Sequence, residues 1–196
     1  MTMTEGEAVA IYTYDFGPEN MEKNPYYAVN LCLRDRDEGK IDSYLGYVIH
    51  LLRGLRKLEK PSAPTLYRAI KGSASGYAVG ATVTWDSFTS TTSNGDVVYS
   101  FVKGAEEHVI FEIVGDFHSI SHSVRDLSFH PEEDEIIIEP GMTSTVVAVA
   151  ADPKKPNATR VTLRVEPTPP VLAKAVQFFS DEEKKLTYHI LPGDVE

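Results

Sequence analysis

Residues 130–141 read HPEEDEIIIEPG, four consecutive acids running into three isoleucines and closed by Pro140 and Gly141. An acidic turn that gives way at once to a β-branched apolar run marks the start of a buried strand. Glu135 stands directly against that run, where part of its carboxylate is expected to be desolvated. Residues two apart in an extended chain project to the same side. Glu133 and Glu135 are therefore expected to face one site while Ile136 and Ile138 turn to the core. Two carboxylates on one side suit general acid–base chemistry, stabilisation of a developing cation, or metal binding.

Working outward, the flanking sequence has the same strand character. TLYRAI, ATVTWDSFTSTT, HVIFEIVG, TSTVVAVAA and RVTLRVEP are short and rich in β-branched and aromatic residues. Gly-, Ser- and Pro-containing turns separate them, and a short helix is expected within 93–107. Upstream of Pro64 the pattern is helical. In EGKIDSYLGYVIHLLRGLRKLEK, residues Ile41, Leu45, Val48, Leu52 and Leu55 recur at helical steps, with Tyr44, Leu51 and Leu58 widening the stripe. Basic residues fill its last turns and Pro61 stops it. An earlier helix is expected over Pro25–Arg36, with Tyr27, Leu31 and Cys32 facing inward. Helices followed by successive strands give an α+β class: a helical lobe on a mainly antiparallel, two-sheet β core. The expected organisation is one domain over 1–196, with the lobe at 1–62, the β core at 63–168 and an extension at 169–196 holding one more short helix or strand.

With a formal net charge of -10, the 196-residue chain is a poor partner for nucleic acid or an anionic membrane. Cys32 is the one cysteine and is expected to pack, not pair. The N-terminus lacks a signal-peptide pattern and no apolar run reaches membrane-spanning length, so the expected location is cytoplasmic. His118, His122 and His130 follow no ligand spacing, and there is no Rossmann or P-loop glycine pattern. No metal is expected.

Arg68 in LYRAI, Ser90 in FTSTT and the Glu133-x-Glu135 pair each stand at the edge of a strand. Singly, each has an ordinary reading as surface or turn. Their order resembles the arginine-serine-glutamate class of mono-ADP-ribosyltransferases, and the likeness runs from about Tyr26 to Val165. It includes RKLEK, LYRAI, YAVGATVTWDSFTSTT, Phe101 with HVIFEIVGDFHSI, and SFHPEEDEIIIEPG. In these motifs the chain is nearer to the arginine-specific enzymes of vertebrates and protists than to bacterial toxins. Two positions depart from the pattern: Ala69 replaces a common glycine, and Thr92 replaces the second serine of a Ser-Thr-Ser element.

The resemblance implies NAD as co-substrate and a protein acceptor carrying an accessible arginine; a monomer is expected. It implies that Arg68 binds the diphosphate side of NAD, where a planar, permanently charged guanidinium suits the task. Ser90 would support NAD and the catalytic glutamate, and Thr91, which follows it, would help bind NAD. Ala69 would lie close to nicotinamide, and Phe101 would pack on it. Glu135 would stabilise the positive charge that grows on the ribose as nicotinamide leaves. Glu133 would position the acceptor and help remove its proton. Within the same fold, an NAD glycohydrolase and a non-catalytic binding module are the alternatives.

Overall fold

The computed structural model describes residues 2–15, 24–36, 38–104 and 106–167. Three helices come first, α1 (Glu5–Asp15), α2 (Pro25–Asp35) and α3 (Glu38–Leu55). Strands β1 (Leu66–Lys71), β2 (Thr82–Trp85) and β3 (Thr89–Thr92) precede the short α4 (Val98–Phe101). Then come β4 (His108–Gly115), β5 (Ser121–Ser123), β6 (Glu135–Ile138), β7 (Met142–Ala151) and β8 (Ala158–Val165). The expected extension at 169–196 lies outside the described residues. Among those described, no helix is long and apolar enough to cross a membrane.

Helix α3 buries Val48, Leu51, Leu52 and Leu55, with Ile41, Tyr44 and Leu58 packed beside them. It ends at Leu55, earlier than its basic tail implied. There, Lys57 N–H bonds to the Gly54 carbonyl and Leu58 N–H to that of Leu55, tightening the chain into a 3₁₀-type turn. Gly54 has a use that propensity does not show. A β-carbon there would lie 2.9 Å from Ile11 Cδ1 and 3.1 Å from the Glu7 carbonyl, so glycine lets α1 lie against α3.

Helix α1 was not anticipated, yet it begins with a capping box. Thr4 N–H donates to Glu7 Oε2 at 2.7 Å, and Glu7 N–H donates to Thr4 Oγ1 at 3.3 Å. Glu7, Ala10, Ile11 and Tyr14 then form its buried stripe. The charged first member hides the apolar pattern, and Lys57 Nζ, 2.5 Å from Glu7 Oε2, neutralises it. Helix α2 starts on Asn24, whose side chain accepts from Tyr26 N–H, and ends with Arg36 in the left-handed region. The expected inward face of α2 needs correcting. Val29, Asn30 and Cys32 are buried, whereas Tyr27 and Leu31 are exposed, because they lie on the opposite side of the helix, roughly half a turn away.

The strands form an eight-stranded hydrogen-bonded sheet in the order β2-β7-β8-β4-β1-β3-β6-β5. Neighbours are antiparallel except β4 and β8, which run parallel, so the sheet is mixed. Two separate sheets were expected. The halves are instead stitched where β1 meets β3, through one register pair, Tyr67 with Thr92. ATVTWDSFTSTT, expected as a continuous strand, breaks at Asp86–Phe88 into β2 and β3, which lie in different halves.

The sheet folds back on itself. Although β6 and β7 are far apart in its order, Ile136 and Ile138 share a core with Met142, Val146 and Phe111. Ile137 turns the other way and packs with Phe88, Leu51 and Leu55 beneath the helices. All three isoleucines are thus buried, on two faces, which explains a continuous apolar run where one-sided burial would give alternation.

Candidate active site

A cleft of about 440 Å³ opens between the helical lobe and the strands on either side of the seam. Arg68 and Ala69 reach it from β1, Ser90 and Thr91 from β3, and Phe101 from α4. Glu133 and Glu135 line it as well. Every site residue expected from sequence therefore meets in one cavity. Three adjacent strands supply the central groups, in the order β1, β3, β6.

Arg68 Nη1 donates to the Ser90 carbonyl at 2.7 Å, fixing the guanidinium across the seam. The hydroxyls of β3 tie it to the neighbouring segment: Thr91 Oγ1 donates to the Ile136 carbonyl at 2.7 Å, and Thr92 Oγ1 to that of Glu133 at 2.6 Å. Thr92 faces Glu135 in the ladder. A hydroxyl at position 92 is thus structurally used, whichever of serine or threonine supplies it.

Strand alternation, expected to put the two glutamates on one side, is not what brings them together. Glu133 belongs to a 3₁₀ turn, Pro131–Glu133, and Asp134 has φ 48°, ψ 52°, the left-handed region. Only Glu135 lies in β6. The turn and the left-handed residue, not a pleat, bring both carboxylates to the cleft.

Sequence reasoning missed the contribution of the helices. Tyr14 from α1 and Asn24, Tyr26 and Tyr27 from the start of α2 line the cleft, joined by Tyr67 from β1. Tyr14 packs edge-on against Tyr26 and Phe88, and Asn30 Nδ2 donates to its hydroxyl at 3.4 Å. Burial drives its phenol well above the usual value, with Tyr26 and Glu135 adding to the rise against hydrogen bonds from Asn30 and Ser90. Tyr14 is therefore a neutral hydroxyl behind Ser90 and Glu135. The TEGE box at residues 4–7 is the signal that could have revealed its helix.

The histidines separate by environment. His130 lines the cleft and is exposed, 3.3 Å from Glu132. His122 is fully buried, with Nε2 2.8 Å from Glu139 Oε1 and Nδ1 3.3 Å from Lys60 Nζ. Lys60 can only donate, so Nδ1 accepts and Nε2–H donates to Glu139: a neutral ring. Burial lowers its pKa accordingly, against the pull of Glu139. Arg56 completes the group with bonds of 3.0 and 2.6 Å to the Glu139 carboxylate. Burial alone would raise Glu139, but hydrogen bonds from His122 and Arg56 outweigh it and hold the pKa at about 2, below its ordinary 4.5.

Both shifts are downward, so both contribute stability that is lost as pH falls. The loss begins with His122, as pH drops below its unfolded value near 6.5. It continues with Glu139 between 4.5 and about 2, where the carboxylate carries on the order of 3 kcal/mol. Urea unfolding across pH 7 to 3 should show this slope, and Glu139→Gln should be less stable at pH 7 with a flatter acid limb. An unchanged slope in the variant would refute the assignment.

No curated protein matches the chain closely in sequence. The solved structure of ADP-ribosyltransferase Vis from Vibrio splendidus, in complex with agmatine, is similar at 20% identity and TM-score 0.62, covering 84% of this chain and 76% of that one. HopU1 of Pseudomonas syringae pv. tomato is similar at 20% identity and TM-score 0.62, over 82% and 76%. Exoenzyme S from Pseudomonas aeruginosa, bound to carba-NAD and human 14-3-3 protein beta, gives 19% and 0.59, over 82% and 74%. At such identities these three speak to the fold. The family model for NAD:arginine ADP-ribosyltransferase matches residues 1–166, most of the chain, and by that match the chain belongs to this family of NAD-dependent ADP-ribosyltransferases.

Proposed function

We propose that this chain transfers ADP-ribose from NAD to an arginine side chain of a protein acceptor, releasing nicotinamide. The observation that carries the reading is the meeting of Glu133 and Glu135 with Arg68 and Ser90 in one cleft. The lining fits a dinucleotide: a guanidinium for the diphosphate, aromatic rings at Tyr26, Tyr67 and Phe101 for flat heterocycles, and carboxylates for a sugar cation. Phe101 is 46% exposed, a ring presented to the cleft and not spent on the core.

In this reading Arg68 holds the diphosphate, its orientation set by the Ser90 carbonyl. Ala69 and Thr91 shape the nicotinamide end, and Phe101 covers it. Glu135 sits on a strand start and opposes the positive charge that grows on the ribose, where its fixed position makes the field effective. Glu133 receives the incoming guanidinium, which is protonated at neutral pH with a pKa above about 12. It orients that group and takes up its proton as the new bond forms.

Incubating the purified chain with labelled NAD and agmatine tests the reading. The expected result is an ADP-ribosylated agmatine formed together with released nicotinamide. Nicotinamide release without any guanidino adduct would replace the proposal with glycohydrolysis.

A further inference from the structure

The two glutamates of the cleft are fastened by different means. Glu135 is the first residue of β6, opposite Thr92 in the ladder, and its carbonyl accepts from Val124 N–H at 3.1 Å. The sheet itself fixes it. Glu133 stands outside the ladder, in a turn closed by its own N–H to the His130 carbonyl at 2.9 Å and by Asp134 N–H to that of Pro131 at 3.3 Å.

That turn is clipped to the end of β3 by two consecutive side chains. Thr92 Oγ1 donates to the Glu133 carbonyl at 2.6 Å and accepts from Asn94 N–H at 3.0 Å. Ser93 Oγ donates to the Asp134 carboxylate. Asp134 needs such an anchor, since its left-handed backbone is one that L-residues adopt sparingly and aspartate tolerates better than most. The clip is not core packing. Ser93 and Asp134 border a polar hollow of about 240 Å³, shared with Lys60, Arg125 and Asp126, that has no lining residue in common with the cleft. A charge-assisted bond at a wet boundary adds little to global stability but can select one conformation of a short turn.

We infer that Ser93 and Asp134 are positioning residues for the acceptor. Their contact holds the left-handed turn that keeps Glu133 at the cleft, and so sets how much cleaved NAD goes to a guanidinium and how much to water. The inference rests on the arginine-transfer reading above. Removing the Ser93 half of the clip loosens the left-handed turn that aims Glu133, while the ladder still holds Glu135, so the two outcomes of NAD cleavage should separate.

The test uses the full chain with Ser93→Ala and Ser93→Thr, measuring adduct formation with agmatine, and nicotinamide release in its absence. Ser93→Ala should lower the rate of transfer about tenfold, the effect of one lost charge-assisted hydrogen bond. Hydrolysis and the KM for NAD should stay within about twofold. Ser93→Thr keeps the hydroxyl and should restore transfer. Amide exchange should quicken in Ser93→Ala over residues 130–135 while 136–138 remain protected. Both activities falling together, neither falling, or no rescue by threonine would overturn the inference. A wild-type chain that makes no guanidino adduct overturns the arginine reading instead, and in that case unchanged exchange at 130–135 overturns the clip.

Discussion

Glu135→Gln should lower NAD cleavage about a thousandfold while NAD binding stays nearly unchanged, because the substitution keeps shape and removes the charge that matters only as the ribose becomes cationic. Glu135 is held by ladder pairing with Thr92 and by its backbone carbonyl, neither of which involves the carboxylate. Strand β6 is also anchored by three buried isoleucines, so the variant should fold. Nicotinamide release under single-turnover conditions measures the first quantity and calorimetry the second. Activity within about tenfold of wild type would remove Glu135 from the role assigned to it.

Glu133→Gln should behave differently. Transfer to agmatine should fall about a hundredfold, the scale of one positioned acid–base group, whereas nicotinamide release without acceptor should continue near the wild-type rate. A water molecule needs no guanidinium site, but a protonated arginine side chain needs a carboxylate to orient it and accept its proton. Parallel loss of both activities would place Glu133 on the donor side with Glu135 and leave the acceptor site to be found elsewhere. The two variants together separate donor from acceptor chemistry.

Much of this was legible in the chain because the relevant signals are local. HVIFEIVG corresponds to β4 residue for residue, and the acid-to-isoleucine boundary marks the first residue of β6. Arg68, Ser90, Glu133 and Glu135 were each visible as polar residues near strands; the convergence of Arg68, Ser90 and Glu135 follows from β1, β3 and β6 being neighbours, and the turn before β6 brings Glu133 to them. That adjacency is a long-range fact which alternation cannot supply. The break in ATVTWDSFTSTT was hard to read for a similar reason: Asp86-Ser87 is a weak turn signal between two β-rich runs, and only long-range pairing sends those runs to different halves. Helix α1 was missed because a buried Glu7, paired to Lys57 some 50 residues on, disguises its inner face. The geometry of the two glutamates was anticipated for the wrong reason: nothing in EEDE announces a left-handed aspartate.

The seam between β1 and β3 has a consequence for how the chain folds. One register pair joins the halves there, and Arg68 and Ser90 stand on its two sides. Strands that neighbour each other in this sheet are often remote in sequence, as β2 with β7 and β4 with β8. Closing such loops is entropically slow, and it precedes the packing that rewards it. The cleft exists only once the two halves are joined. With the proposed activity, nicotinamide release during refolding should begin only after the two halves have joined, so turnover would report on long-range topology and not on local strand formation.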